Sequence, residues 1–254
     1  MLKALEQLIR QAGEIARSQA LAAQVHVKGR SDFVTDADLA VSAFLEKELP
    51  LLVPGSRVLS EENAHDVDTR RGKVFIIDPI DGTTSLTYHL NLSCVSCGYV
   101  VDGEPVMGAV YNPFTDEMFL AEKGKGATLN GRPIQVNEDP DLTQALIGFE
   151  TGPATANQQE TYFKHLYAIS AKSKGLRLIG SAALDICYVA CGRLSGTVFH
   201  YLFPWDFAAG WVILKEAGGK LSLMDGSLPV FEGRCPSMVA SNTLLHEELL
   251  NAFN

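Results

Sequence analysis

The 254-residue chain carries 46% hydrophobic residues, which excludes disorder and allows one large domain or two fused halves. A formal charge of −9 and a pI near 5.1 leave no basic face for a phosphate backbone, so nucleic acid is excluded as a partner. No apolar run reaches membrane length, and Lys3, Glu6, Arg10, Glu14 and Arg17 interrupt the N-terminus, so neither a span nor a leader is expected and the expected compartment is the cytoplasm.

Residues 2 to about 23 place Leu5, Leu8, Ile9, Ala12, Ile15 and Ala16 on one stripe, the pattern of an amphipathic covering helix. The small, basic stretch Val27-Lys28-Gly29-Arg30-Ser31 then reads as a flexible loop, and Thr35-Asp36-Ala37-Asp38 opens a second helix running to about Leu49. Thr35 or Asp36 can cap that helix, which leaves Asp38 readable as a first-turn acid favoured by the helix dipole. A turn at Pro54-Gly55-Ser56 leads into a short strand, 57–59, ending in Ser60-Glu61-Glu62-Asn63; residues 65–72, starting at His65, read as a movable surface loop.

The most informative stretch follows. Val74-Phe75-Ile76-Ile77 is a buried strand that runs directly into Asp78-Pro79-Ile80-Asp81-Gly82-Thr83-Thr84. Pro79 is expected to end the strand, and Gly82 with two threonines to open a helix. Two carboxylates beside a helix N-terminus are suited to a hard cation such as Mg²⁺ and to a phosphate, although capping aspartates alone would produce a similar pattern.

Beyond it lies a meander of strands, 94–101, 105–111 and 117–121, with hairpin turns at Asp102-Gly103 and Asn112-Pro113. Tight turns at Lys123-Gly124-Lys125-Gly126 and Leu129-Asn130-Gly131-Arg132 lack the following helix and Lys-Ser/Thr pair of a nucleotide loop. From about Asp139 strand and helix alternate: strands at 145–149, 176–179, 197–200, 220–223 and 238–240, helices at 160–172, 181–193 and 207–217, and a terminal helix from near Asn242. Five cysteines, an odd number in a long chain, read as reduced thiols, with Cys94 and Cys97 in a strand and Cys187 and Cys191 on one helical stripe.

Taken together, Asp36-Ala37-Asp38, Glu61-Glu62, the Asp78–Thr84 stretch, Gly180-Ser181-Ala182-Ala183, and Trp205-Asp206-Phe207-Ala208-Ala209-Gly210 with Glu216-Ala217-Gly218-Gly219 occur in an order that resembles the inositol monophosphatase family of Mg²⁺-dependent, lithium-sensitive phosphatases. The resemblance runs from end to end. It implies an α/β fold built as a layered α/β/α/β/α sandwich, with a mixed α+β half over 1–138 and an α/β half over 139–254 forming one catalytic unit, and a homodimer.

The resemblance also implies two or three Mg²⁺ ions: one on Glu61, Asp78 and the Ile80 carbonyl, a second on Asp78, Asp81 and Asp206, and a weaker third near Glu61. Glu61 and Thr83 would orient the attacking water, with Asp38 supporting Thr83, and Asp81, Gly82 and Thr83 would bind the phosphate. Gly180, Ser181 and Ala182 would contact the alcohol. Animal members carry a glutamate for the inositol hydroxyls where this chain has Phe199, followed by His200, so those two residues complete the expected substrate contacts. Lys28 and Arg30 stand where a second phosphate could be met.

The function so implied is hydrolysis of inositol monophosphate or a similar small polyol or sugar phosphate. Alternatives are a fructose-1,6-bisphosphatase or adenosine 3′,5′-bisphosphate nucleotidase of the same superfamily, or a regulatory binding protein that keeps the fold.

Overall fold

The computed structural model describes residues 1–29, 32–63, 67–151 and 156–252, with the backbone alone at 28, 29, 32 and 156–159. Arg30, His65 and the Lys28 side chain therefore lie outside the described residues. The chain runs α1 (Leu2–Ala16), α2 (Gln19–Ala22), β1 (Val25–Gly29), β2 (Asp32–Thr35), α3 (Asp36–Leu52), β3 (Arg57–Ser60), β4 (Lys73–Asp81) and α4 (Thr83–Thr87). Then come β5 (Cys94–Val101), β6 (Glu104–Asn112), β7 (Glu117–Glu122), β8 (Ala127–Leu129), β9 (Arg132–Ile134), β10 (Leu146–Glu150), α5 (Ala156–Ser170) and β11 (Gly175–Arg177). The last elements are α6 (Ala182–Ala190), β12 (Gly196–Phe199), α7 (Pro204–Glu216), β13 (Gly219–Leu223), β14 (Met238–Asn242) and α8 (His246–Ala252).

Among the described residues the strands form three sheets: the β1–β2 hairpin, a seven-stranded sheet in the order β3 to β9, and a five-stranded sheet ordered β11-β10-β12-β14-β13. Strand alternation sorts the core into layers. On β4, Phe75 and Ile77 face α1 and α3, packing with Leu5, Ile9, Val41 and Leu45. Val74 and Ile76 face the other way, into a middle layer of α6 and α7 that also receives Phe199, Leu221, Met238 and Ala240 of the second sheet. The second sheet turns Ile147, Val198 and Val239 outward onto α5 and α8. The result is the α/β/α/β/α stack, and among the described residues no helix is long and apolar enough to cross a membrane.

Four departures from the sequence expectations have local causes. The first helix breaks at Ser18, whose extended backbone (ψ 103°) separates α1 from α2, because the apolar stripe ends at Ala16. The basic stretch after it is partly the β1–β2 hairpin. Pro79 does not end β4, since pairing with β5 resumes at Asp81↔Cys94 after a bulge. The residue expected to start the last helix, Asn242, ends β14, and its side chain instead accepts the Leu245 N–H ahead of α8.

The middle layer sits close to the first sheet because two strands present glycine to α7. A Cβ at Gly98 would come within 2.8 Å of the Ala208 methyl, and one at Gly108 within 2.2 Å of the Ala209 carbonyl oxygen. Gly108→Ala is therefore expected to force α7 off the sheet, an overpacking of about 1–3 kcal/mol, and so to lower the thermal midpoint by several degrees; an unchanged midpoint in calorimetry would refute the close approach.

His246 supplies a pH-dependent element of stability. It is buried between the Ser222 and Ser241 hydroxyls, each 2.8 Å from a ring nitrogen, and burial, aided by Lys220, holds its pKa down at about 4. Below the ordinary value of 6.5 the unfolded chain takes up a proton that the folded chain refuses, so this residue lowers stability as pH falls from about 6.5 to about 4 and no further below. Comparing the pH dependence of the thermal midpoint with that of His246→Gln isolates the effect, and identical slopes across that window would contradict it.

Candidate active site

The site begins with the bulge in β4. Asp78 pairs with Ser96 and Asp81 with Cys94, so three steps along β4 match two along β5. In a regular strand, residues three apart point to opposite faces; the extra residue turns Asp78 and Asp81 to the same face, that of the middle layer. Pro79 is tolerated there because a bulge leaves one residue outside the ladder. Gly82 follows at φ 92°, a left-handed conformation, and an added Cβ would meet the Leu92 carbonyl oxygen at 2.7 Å and that of Gly180 at 3.0 Å. The backbone is thus pressed between two segments while α4 starts.

Thr83, the first residue of α4, is tied to the N-terminus of α3. Its hydroxyl lies 3.0 Å from Asp38 Oδ1 and 3.1 Å from the Ile80 carbonyl oxygen, so its single proton serves one acceptor at a time. Asp38 is itself fixed: its Oδ2 accepts the Thr35 N–H at 2.8 Å and the Thr35 hydroxyl at 2.5 Å, half of a capping box. Burial raises its pKa while these donors oppose the shift.

Asp81 reaches across to the second half of the chain. Its Oδ2 accepts the Ser181 hydroxyl at 2.8 Å and the Ala183 N–H at 2.6 Å, at the N-terminus of α6. Burial lifts its carboxyl to about 6, with those donors resisting. Asp206 stands at the third position of α7, where its Oδ2 accepts the Phe203 N–H at 2.7 Å, and burial together with Asp81 and Glu61 pushes its pKa well up. Glu61 follows β3, with its N–H donating to the Ile77 carbonyl at 3.2 Å.

Asp78 is the focus of this charge. It is 2% exposed, its Oδ1 has no hydrogen-bond donor, and burial and then the charges of Glu61, Asp81, Asp206 and Asp38 drive its pKa well up. A buried oxygen without a donor, surrounded by carboxylates, fits a hard divalent cation. Among the described residues no three acids, histidines or cysteines close into a ready-made cage. Hydrated Mg²⁺-type ions are held by one or two carboxylates with water completing the shell, so the arrangement still admits one. Glu61, Asp78, Asp81, Asp206 and the Ile80 carbonyl are the groups able to hold it.

The alcohol-side candidates divide. Gly180 (φ 80°) and Ser181 abut Gly82 and Asp81, and Ala182 begins α6. Phe199, however, is fully buried in the middle layer, so it is a packing residue and not a substrate contact; an apolar ring at the end of a core strand packs inward. His200 is half-buried between the rings of Tyr162 and Tyr201, with burial and Arg234 lowering its pKa. A cavity of about 740 Å³ bordered by Arg17, Ser85, Leu86, His89 and Phe114 shares α4 with the site but holds none of its acids.

Sequence reasoning missed two acids behind Ser181, the half-buried Glu150 and the fully buried Asp185. Glu150 ends an apolar strand just as Asp81 does, and that strand-end acid was the available signal.

Acids gathered at the N-termini of α3, α6 and α7 beside a glycine turn make a site suited to a cation and a phosphate in a layered α/β protein. The whole chain, residues 1–254, matches the model of the inositol monophosphatase family, and it belongs to that family. It is 38% identical over 252 residues to inositol monophosphatase 1 of Solanum lycopersicum, covering 96% of this chain and 90% of that one. Among solved structures it resembles extragenic suppressor protein suhB from Bartonella henselae (TM-score 0.91, 32% identity, covering 99% of this chain and 97% of that one). It also resembles inositol monophosphate-bound SaIMPase-II (TM-score 0.83, 31% identity, covering 98% and 91%).

Asp38→Asn replaces one acceptor oxygen with an amide where three donors converge. It is expected to destabilise by about 1 kcal/mol, the scale of a lost helix cap, read as a drop of a few degrees in the thermal midpoint; a midpoint at or above the parent's would contradict the network.

Proposed function

We propose that the chain is a Mg²⁺-dependent phosphomonoesterase that hydrolyses inositol monophosphate to inositol and inorganic phosphate. The observation that carries this reading is the convergence of Glu61, Asp78, Asp81 and Asp206 on one buried face beside the Gly82-Thr83 turn. In it, Glu61, Asp78 and the Ile80 carbonyl would hold one ion, Asp78, Asp81 and Asp206 a second, and a weaker third would sit near Glu61. Bound there, Mg²⁺ supplies Lewis acidity toward phosphate oxygens and lowers the pKa of water.

The chain's own groups do the positioning. When Thr83 donates its proton to Asp38, its oxygen keeps lone pairs that can accept a hydrogen bond from the attacking water, and the Ile80 carbonyl is released from that donor. Glu61 orients the same water from the other side. The backbone N–H groups of Gly82 and Thr83 meet the equatorial phosphate oxygens, as preorganised donors at a helix start. Asp206 and Gly180 to Ala182 border the departing alcohol, and no covalent phosphoenzyme is required.

The expected halves, 1–138 and 139–254, act on this reading as one unit, because Asp78 and Asp81 come from one and Ser181 and Asp206 from the other. A homodimer and a cytoplasmic setting belong to the same proposal; the five cysteines are all free, as a reducing compartment favours.

Phosphate release from inositol 1-phosphate is expected with Mg²⁺ and not with excess EDTA. Asp81→Asn is expected to lower the rate by at least about a hundredfold, the scale of losing one preorganised electrostatic group. Independently of turnover, Asp78→Asn is expected to raise the thermal midpoint in EDTA, by relieving like-charge repulsion, and to shrink the stabilisation conferred by Mg²⁺. Metal-independent turnover, or a midpoint indifferent to Mg²⁺ in the parent, would sink the reading.

A further inference from the structure

Glu150 closes β10 and pairs with Phe199 at the end of the parallel neighbour β12. The carboxyl ends of parallel strands are where α/β sheets open onto ligands. Its side chain is half-buried, neither packed in the core nor free in solvent. Oε1 accepts the Gly180 N–H at 2.6 Å, and the Ser181 N–H also reaches the carboxylate.

From behind, Asp185 lies against the same carboxylate. Asp185 is fully buried, and as an anion it would have no donor for either oxygen. Burial and then Glu150's charge push its pKa well up, which favours the neutral acid, the form able to donate to Glu150. Burial raises Glu150 itself to about 7, with the hydrogen bonds from Asp185, Gly180 and Ser181 opposing the shift.

The Gly180 N–H holds one oxygen of Glu150, with Ser181 and Asp185 beside the carboxylate, while a carboxylate offers roughly four lone-pair sites. Its charge is also felt at Asp81 and Asp206, which puts it near the acid that, on the reading above, borders the departing alcohol. The adjacent strand end offers no alternative acceptor, because the Phe199 side chain is buried. A group that only capped α6 would not need a second, protonated acid beneath it to fix its orientation.

We propose that Glu150 reads the alcohol half of the substrate: its carboxylate, held by Gly180, Ser181 and Asp185, accepts a hydrogen bond from a hydroxyl of a polyol phosphate whose ester oxygen lies toward Asp206. The inference rests on the phosphomonoesterase reading above. A site built around such an acceptor discriminates against alcohols that lack the hydroxyl, because the acceptor is then left without its partner.

The test compares inositol 1-phosphate with 4-nitrophenyl phosphate, a phosphomonoester without alcohol hydroxyls, on the full chain with Mg²⁺. Glu150→Gln is expected to lower kcat/KM for inositol 1-phosphate by about ten- to a hundredfold, the scale of a hydrogen bond to a charged group, mainly through KM. Turnover of 4-nitrophenyl phosphate should stay within about twofold, since it does not use that acceptor. Asp185→Asn, whose amide still donates to Glu150, is expected to keep the inositol preference.

Equal losses on both substrates would make Glu150 a structural prop of α6, and no loss on either would remove it from recognition; both outcomes overturn the proposal while leaving the phosphatase reading intact. A parent chain that hydrolyses neither substrate overturns both. Should Glu150→Gln fold poorly, Glu150→Asp, one methylene short of the hydroxyl, must give the same split between substrates or the proposal fails.

Discussion

Everything at this site answers to one electrostatic constraint, the burial of Asp78 among other carboxylates. A strand as apolar as Val74 to Ile77 carries the acid to a depth of 2% exposure, where one of its oxygens finds no donor. Taking an ion out of water costs roughly several kcal/mol even after relaxation. Such a group persists in a folded chain only where the surroundings neutralise it or function requires it. The bulge, the two glycines beneath α7 and the left-handed turn at Gly82 all serve to bring more acid to the same place. A core selected for stability alone would have placed an apolar residue at position 78.

Helix ends ease part of the repulsion. Asp38 accepts donors at the start of α3, Asp81 at the start of α6 and Asp206 at the start of α7. Each start carries about half an elementary positive charge. The capping reading and the proposed catalytic reading of these aspartates therefore do not compete, because one carboxylate has lone pairs enough for both. Capping consumes Oδ2 in all three, which fixes each side chain and leaves its remaining oxygen with a determined direction. For Asp38 that direction is the Thr83 hydroxyl.

That dual use explains what could be read in advance. The Asp78 to Thr84 stretch, Thr35 to Asp38 and the Trp205-Asp206 pair were legible because capping chemistry and metal chemistry favour the same short motifs. The strand–helix alternation of the second half was legible from about Asp139, and the layered stack came with the family resemblance. Pro79 misled because a proline ends a regular strand yet is accepted in a bulge, and nothing local distinguishes the two. Phe199 misled because its position along the chain matched an expected substrate contact, whereas its direction was decided by the middle layer. Glu150 escaped notice because Thr151 and Gly152 make it look like the first residue of a loop.

The misses are not random. The phosphate end of the site is assembled from contacts over a few residues, Thr83 with Ile80 and Asp38 with Thr35, joined by the single Thr83–Asp38 bond. The proposed alcohol end draws on Glu150, Gly180 and Asp185, which come together only when β10 is laid beside β12 and α6 is docked between the sheets. Chemistry shared by all phosphomonoesters can be encoded in local motifs, since the phosphate group does not change from one substrate to the next. Selectivity for the alcohol depends on where distant segments meet, and it can shift when a single strand-end residue changes while every metal-binding acid stays the same. That separation is why the reaction was readable from the chain and the recognition of its substrate required the fold.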